Sequence, residues 1–157
     1  MKYIKGFLIA LVMLNLTGCI STKIMVDKPY QSLASDKYSY SIIQEDTVPE
    51  KALVIVRDQL EKGLNSHFEK NENLSNKEIE IIFTNYYMRH GATRMLVGIM
   101  AGADSIVTTI NIRDKTNKEI LSTFTVKSGN PTAAGTAKGL LMQHVDKITH
   151  YITSGKA

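Results

Sequence analysis

Apolar residues recur at three- and four-residue steps in two stretches of the chain and alternate one by one in four others. Ala52, Leu53, Val56, Leu60 and Leu64 form one helical stripe, and Ala137, Leu141, Val145, Ile148 and Ile152 form a second, flanked by Leu140 and His144. Arg57, Asp58, Glu61 and Lys62 fill the wet side of the first. Thr47 and Glu50 stand in capping-box spacing ahead of it, with Pro49 between them in the first turn. The second helix is predicted from about 132 to 152, most firmly after Gly139.

Strict alternation marks the strands. Tyr38, Tyr40 and Ile42 share one side of a first strand, and Ile79, Ile81 and Phe83 one side of a second at about 78–88. Ile106, Thr108, Ile110 and Ile112 line the most regular one. A polar turn at 114–119 and a strand at 120–126 complete a predicted β-hairpin, and 128–131 reads as the break after it. The order β-α-β-β-β-α predicts an α+β domain, a mainly antiparallel sheet with two amphipathic helices on one face.

The amino terminus follows neither pattern. Lys2 and Lys5 precede an apolar run, Phe7 to Leu16, about half the length needed to span a bilayer and of the size of a signal-peptide core. Thr17 and Gly18 follow, and then Cys19, the only cysteine in the chain. Leu16-Thr17-Gly18-Cys19 resembles the lipobox of bacterial lipoproteins. The resemblance implies cleavage before Cys19, a diacylglycerol thioether on its sulfur and a membrane as partner. Residues 1–18 are thus read as signal peptide and 19–36 as lipidated start and tether. Residues 37–157 are read as one domain. A flexible tether of that length would reach on the order of 20–25 Å. Ile20, following the cysteine, favours the periplasmic side of the outer membrane by the same resemblance.

Composition trims the functional classes. Removing residues 1–18 from 157 leaves 139, enough for one core. The 19 basic residues become 17 without Lys2 and Lys5, against 15 acidic, so the formal net charge of +4 becomes +2. That is ordinary for a soluble domain and gives no argument for nucleic acid. With Cys19 acylated no thiol remains for a disulfide, so packing alone must hold the fold.

No catalytic constellation stands out. His144 and His150 are six apart, off each other's helix face, and His67 and His90 lie in loop-like stretches without metal-ligand spacing. These histidines read as surface or partly buried side chains. Glu78 and Glu80 share a strand side as paired carboxylates could, but their alternation with Ile79 and Ile81 marks a wet face. Gly129, Gly135 and Lys138 miss the phosphate-loop spacing. No cofactor or metal site is predicted.

One segment remains: 89–103, where Gly91, Gly98 and Gly102 surround apolar Met95, Leu96, Val97, Ile99 and Met100. Leu96 and Ile99 read as core-facing. Met95, Gly98, Met100 and Gly102 form a candidate contact segment for an envelope partner or a second copy. Gly98 to Ser105, the strand to Ile112, the turn 114–118 and the strand to Val126 resemble the bacterial lipoproteins grouped as domain of unknown function 4410. There a glycine-rich turn enters a strand and a Thr-Gly-Lys type of turn follows, with Asn117 standing here for the glycine. The resemblance implies a periplasm-facing lipoprotein domain and supplies no catalytic residue. The expected role is a non-enzymatic accessory, assembly or interaction protein of the envelope. A small cell-wall-acting enzyme and a passive wall-binding module are the alternatives.

Overall fold

The computed structural model describes residues 20–33, 35–65, 75–89, 103–131 and 135–157. Within them the order is β1 (Ser21–Lys28), β2 (Tyr38–Gln44), α1 (Glu50–Asn65), β3 (Lys77–Tyr87), β4 (Asp104–Asp114), β5 (Ile120–Asn130) and α2 (Ala137–Ser154). The strands form one sheet in the order β1-β5-β4-β3-β2. All neighbours are antiparallel except β2 and β3, which are parallel and joined through α1. The α+β class and the helix-on-sheet arrangement are as the periodicity predicts.

Alternation decides which face is covered. Ile79, Ile81 and Phe83 of β3, Ile106, Ile110 and Ile112 of β4, and Phe124 and Val126 of β5 point to the helices and are buried. The predicted stripes meet them: Leu53, Val56 and Leu60 of α1, and Leu141, Val145 and Ile148 of α2, are all at most 2% exposed. The helices are tied to each other by Gln59 Nε2 donating to Asp146 Oδ1 at 2.6 Å. A Cβ on Gly63 would come within 2.7 Å of the Thr149 side chain, so the helices cross closely there.

Three local expectations are corrected. The stretch 20–36 is no tether: β1 pairs along β5 from Ser21 opposite Gly129 to Lys28 opposite Thr123. Thr22, Ile24 and Val26 of β1 alternate inward against exposed Ser21, Lys23, Met25 and Asp27. The crossover from β1 to β2, on opposite edges of the sheet, is built around Asp36, which is 3% exposed. Its Oδ2 accepts from Tyr30 Oη at 2.5 Å, the Leu33 amide at 2.8 Å and Tyr38 Oη at 3.4 Å.

The second correction concerns 128–131, which does not break the sheet at Ser128. β5 continues to Asn130, because Ser128 and Asn130 are core-facing polar residues with partners there. The third is at the helix starts. The Glu50 carboxylate pairs with Arg57 at 2.8 Å rather than reaching back toward Thr47. Helix α2 begins at Ala137, where Thr136 caps it by accepting from the Gly139 amide at 3.0 Å.

Candidate interaction site at one end of the sheet

Two polar inclusions lie on the covered face, both toward the end of the sheet where β1 and β4 enter and β3 and β5 leave. The first joins Arg89, Asp104 and Asn130. Asp104 opens β4 opposite Asn130, the last residue of β5, and Arg89 follows β3 by two residues. The Arg89 amide donates to Asp104 Oδ1 at 2.9 Å and its Nε donates to the same oxygen at 3.2 Å. One terminal guanidinium nitrogen donates to the Asn130 carbonyl at 2.9 Å. Both charged side chains are 0% exposed. A buried ion pair endures only where charges and extra hydrogen bonds match, and here the backbone supplies them. Burial, and then the negative charge of Asp104, raise the nearby Tyr86 phenol above its ordinary pKa.

Gly135 closes the same end. It sits at φ +85°, and a Cβ there would meet Asn130 Nδ2 at 3.2 Å and Ile20 Cδ1 at 3.3 Å. The residue after Cys19 thus packs beside the terminus of β5.

The second inclusion is centred on His144 of α2, which is 0% exposed. Its Nε2 lies 2.8 Å from Thr108 Oγ1 and its Nδ1 lies 2.8 Å from Ser128 Oγ. Ser128 Oγ is in turn 2.9 Å from Thr22 Oγ1. The hydroxyls can donate or accept, so one ring nitrogen carries the proton and the other receives one. Burial lowers the His144 pKa from 6.5 to about 3, which keeps the ring neutral. The chain of bonds links α2 to β4, β5 and β1.

A serine hydroxyl on an imidazole nitrogen is also the start of a nucleophile–base pair. Ser128 is 1% exposed and His144 fully covered, so a substrate has no approach to this one in the folded state. Its role in this arrangement is to clamp.

Glu78 and Glu80 lie on the sheet face away from the helices. Glu80 Oε2 accepts from Arg113 Nε at 2.7 Å and from Asn111 Nδ2 at 3.4 Å. Glu78 is 3.9 Å from Lys118 Nζ. Each of the two carboxylates thus has a cation of its own on the open face. Among the described residues, no three His, Cys, Asp or Glu side chains group to hold a metal. No described helix is long and apolar enough to cross a membrane.

Cys19, Met95, Gly98, Met100 and Gly102, with His67, His90, Leu96 and Ile99, lie outside the described residues. What the structure adds is the stem of the predicted contact segment, which leaves at Arg89 and returns at Ala103 and Asp104. None of Arg89, Asp104, Asn130, Ser128 or Thr108 stands out in the sequence as a site residue. The available signal is a polar residue at an inward position of a strand: Asp104, Thr108, Ser128 and Asn130 all keep the phase of their buried isoleucine, phenylalanine and valine neighbours.

The family described as Domain of unknown function (DUF4410) matches residues 30–136. No curated protein matches the chain in sequence. Among solved structures, it is similar to a single-substitution variant of the PelC dodecamer from Paraburkholderia phytofirmans. The TM-score is 0.62 at 11% identity, over 87% of this chain and 100% of that one. A second PelC dodecamer from the same organism gives a TM-score of 0.56 at 11% identity, over 82% and 94%. At that identity the likeness shows a shared fold.

Proposed function

The chain belongs to the domain-of-unknown-function 4410 family, and on that premise we propose that it is a lipid-anchored envelope protein that works by assembling with copies of itself. It is anchored through Cys19 on the periplasmic side of the outer membrane. Its contribution there is mechanical, as an accessory or assembly component without catalytic turnover.

The observation that carries this reading is the half-covered sheet. Both helices pack on one face. On the other, the register lines up Met25, Thr125, Thr109, Ile82 and Ile43 in one row across all five strands. The row ends in exposed apolar side chains, Met25 at 54% and Ile43 at 42%. This row of apolar and hydroxyl residues runs between the Glu80–Arg113 pair on one side and Lys23 and Lys127 on the other, an apolar strip with a charged rim that suits contact with another protein surface. Support for a second copy as that surface comes from the two solved structures of the same fold, both dodecamers. The sealing of the Ser128–His144 pair supports a role without catalysis.

The anchor is tested by membrane fractionation and intact mass of the full-length chain beside Cys19→Ser. The expected result is a mature form starting at Cys19 with added acyl mass, and a variant that stays unprocessed or leaves the membrane. A Cys19→Ser chain that matures and fractionates unchanged contradicts the reading.

A further inference from the structure

Resting on the anchored reading above, we propose that the domain stands end-on on the lipid surface, its sheet end at Ile20, Gly129, Gly135 and Tyr87 held against the headgroups. The inference comes from how little chain is left between the anchor and the sheet. Ser21 is already paired with Gly129, and only Ile20 separates it from Cys19. Two residues reach at most about 7 Å even when fully extended. A thioether at Cys19 thus places acyl chains within that distance of the end of β5.

The short link cannot be lengthened cheaply by peeling β1 away. Ile20, Ile24 and Val26 pack on the core. Thr22 is bonded to Ser128, which is bonded to buried His144. Releasing the first strand would expose apolar surface and open the hydroxyl–imidazole chain.

Several features converge on the same end. Tyr87, the last residue of β3, is 49% exposed and pairs with Ser105 there. A half-exposed tyrosine, an apolar ring with a polar tip, suits the headgroup layer. The chain from Arg89 to Ala103 also departs from and returns to this end. Charges of both signs stand near this end, Lys23 opposite Lys127 on β1 and β5 and Glu45 and Asp46 just after β2; the docking is imposed by the covalent link, and uncharged lipid suffices. The turn at 114–119 lies at the far end of 11-residue strands, about 35 Å away at the rise of a β-strand.

The test uses full-length lipidated protein in phosphatidylcholine vesicles, with intact mass recorded first. Because Cys19 is the only cysteine and its sulfur is blocked by lipid, a spin label can be placed through Lys138→Cys or Thr116→Cys, two exposed positions at opposite ends. The expected result is several-fold weaker relaxation by a water-soluble nickel complex at position 138 than at 116. Inserting twelve Gly/Ser residues between Cys19 and Ile20 is expected to abolish that difference. Equal access at both positions in the original chain overturns the proposal, as does protection at 138 that survives the insertion. A chain whose mass shows no acyl groups fails the anchored reading itself, a separate result from equal access in an acylated chain.

Discussion

Ser128 Oγ lies 2.8 Å from His144 Nδ1 inside the helix–sheet interface, where both side chains are all but closed to solvent. An unpaired polar atom there has no water to turn to. Ser128→Ala strips His144 Nδ1 of its partner and leaves Thr22 without one of its bonds. A loss of about 1–3 kcal/mol is expected in urea unfolding. Thr108→Val, on the opposite ring nitrogen, is expected to cost a similar amount. The two losses should not add, since both act through one ring.

The same ring sets a pH response. In the unfolded chain His144 takes up a proton near its ordinary pKa of 6.5, while in the fold it stays neutral down to about 3. Between those values the unfolded state binds more protons. Stability is therefore full above pH 6.5 and falls as pH drops toward 3, by up to about 1.4 kcal/mol per pH unit. Asp114 is held down to about 2 by its bond to Lys77, so its loss comes only below pH 3.8. His144→Gln is expected to flatten the stability profile between pH 6.5 and 4 relative to the parent chain, as read by denaturant titrations at each pH.

Arg89 and Asp104 hold the two ends of the 90–102 segment together with no solvent on either charge. Arg89→Met removes the guanidinium and leaves a buried carboxylate with only part of its hydrogen bonding. The expected cost is about 3–5 kcal/mol in chemical denaturation. A change under 1 kcal/mol would mean that Asp104 reaches solvent or another cation.

Membership of β1 in the sheet gives a truncation test. A chain starting at Lys37 loses a strand, the Thr22 end of the hydroxyl chain, and Tyr30 and Asp36 with their crossover bonds. It is expected to show no cooperative thermal transition, whereas a chain starting at Ile20 unfolds as one unit. Equal melting of the two would put β1 outside the cooperative fold.

That difference also shows where the sequence was readable. The helix stripes and the alternation of β3 are legible because one face of each is apolar, as in Leu53, Val56 and Leu60 or Ile79, Ile81 and Phe83, and β4 keeps enough of that phase in Ile106, Ile110 and Ile112 to be read as well. β1 is not, because Met25 sits on its polar side and only Ile24 and Val26 mark the other. The end of β5 is hidden in the sequence for a related reason. Ser128 and Asn130 look like turn residues, and only the approach of His144 and Arg89, from elsewhere in the chain, makes them core. The Arg89–Asp104 pair spans fifteen positions and a glycine-rich segment, and no local spacing rule links such residues.

The decisive step in the proposed function is assembly of anchored copies through the open sheet face. Light-scattering mass of the mature, detergent-solubilised protein tests it most directly, alongside a Met25→Lys, Ile43→Lys variant that charges both ends of the exposed row. A defined multimer is expected for the parent chain and a folded monomer for the variant. A parent chain that is monomeric at every concentration, or a multimer indifferent to both lysines, would contradict it.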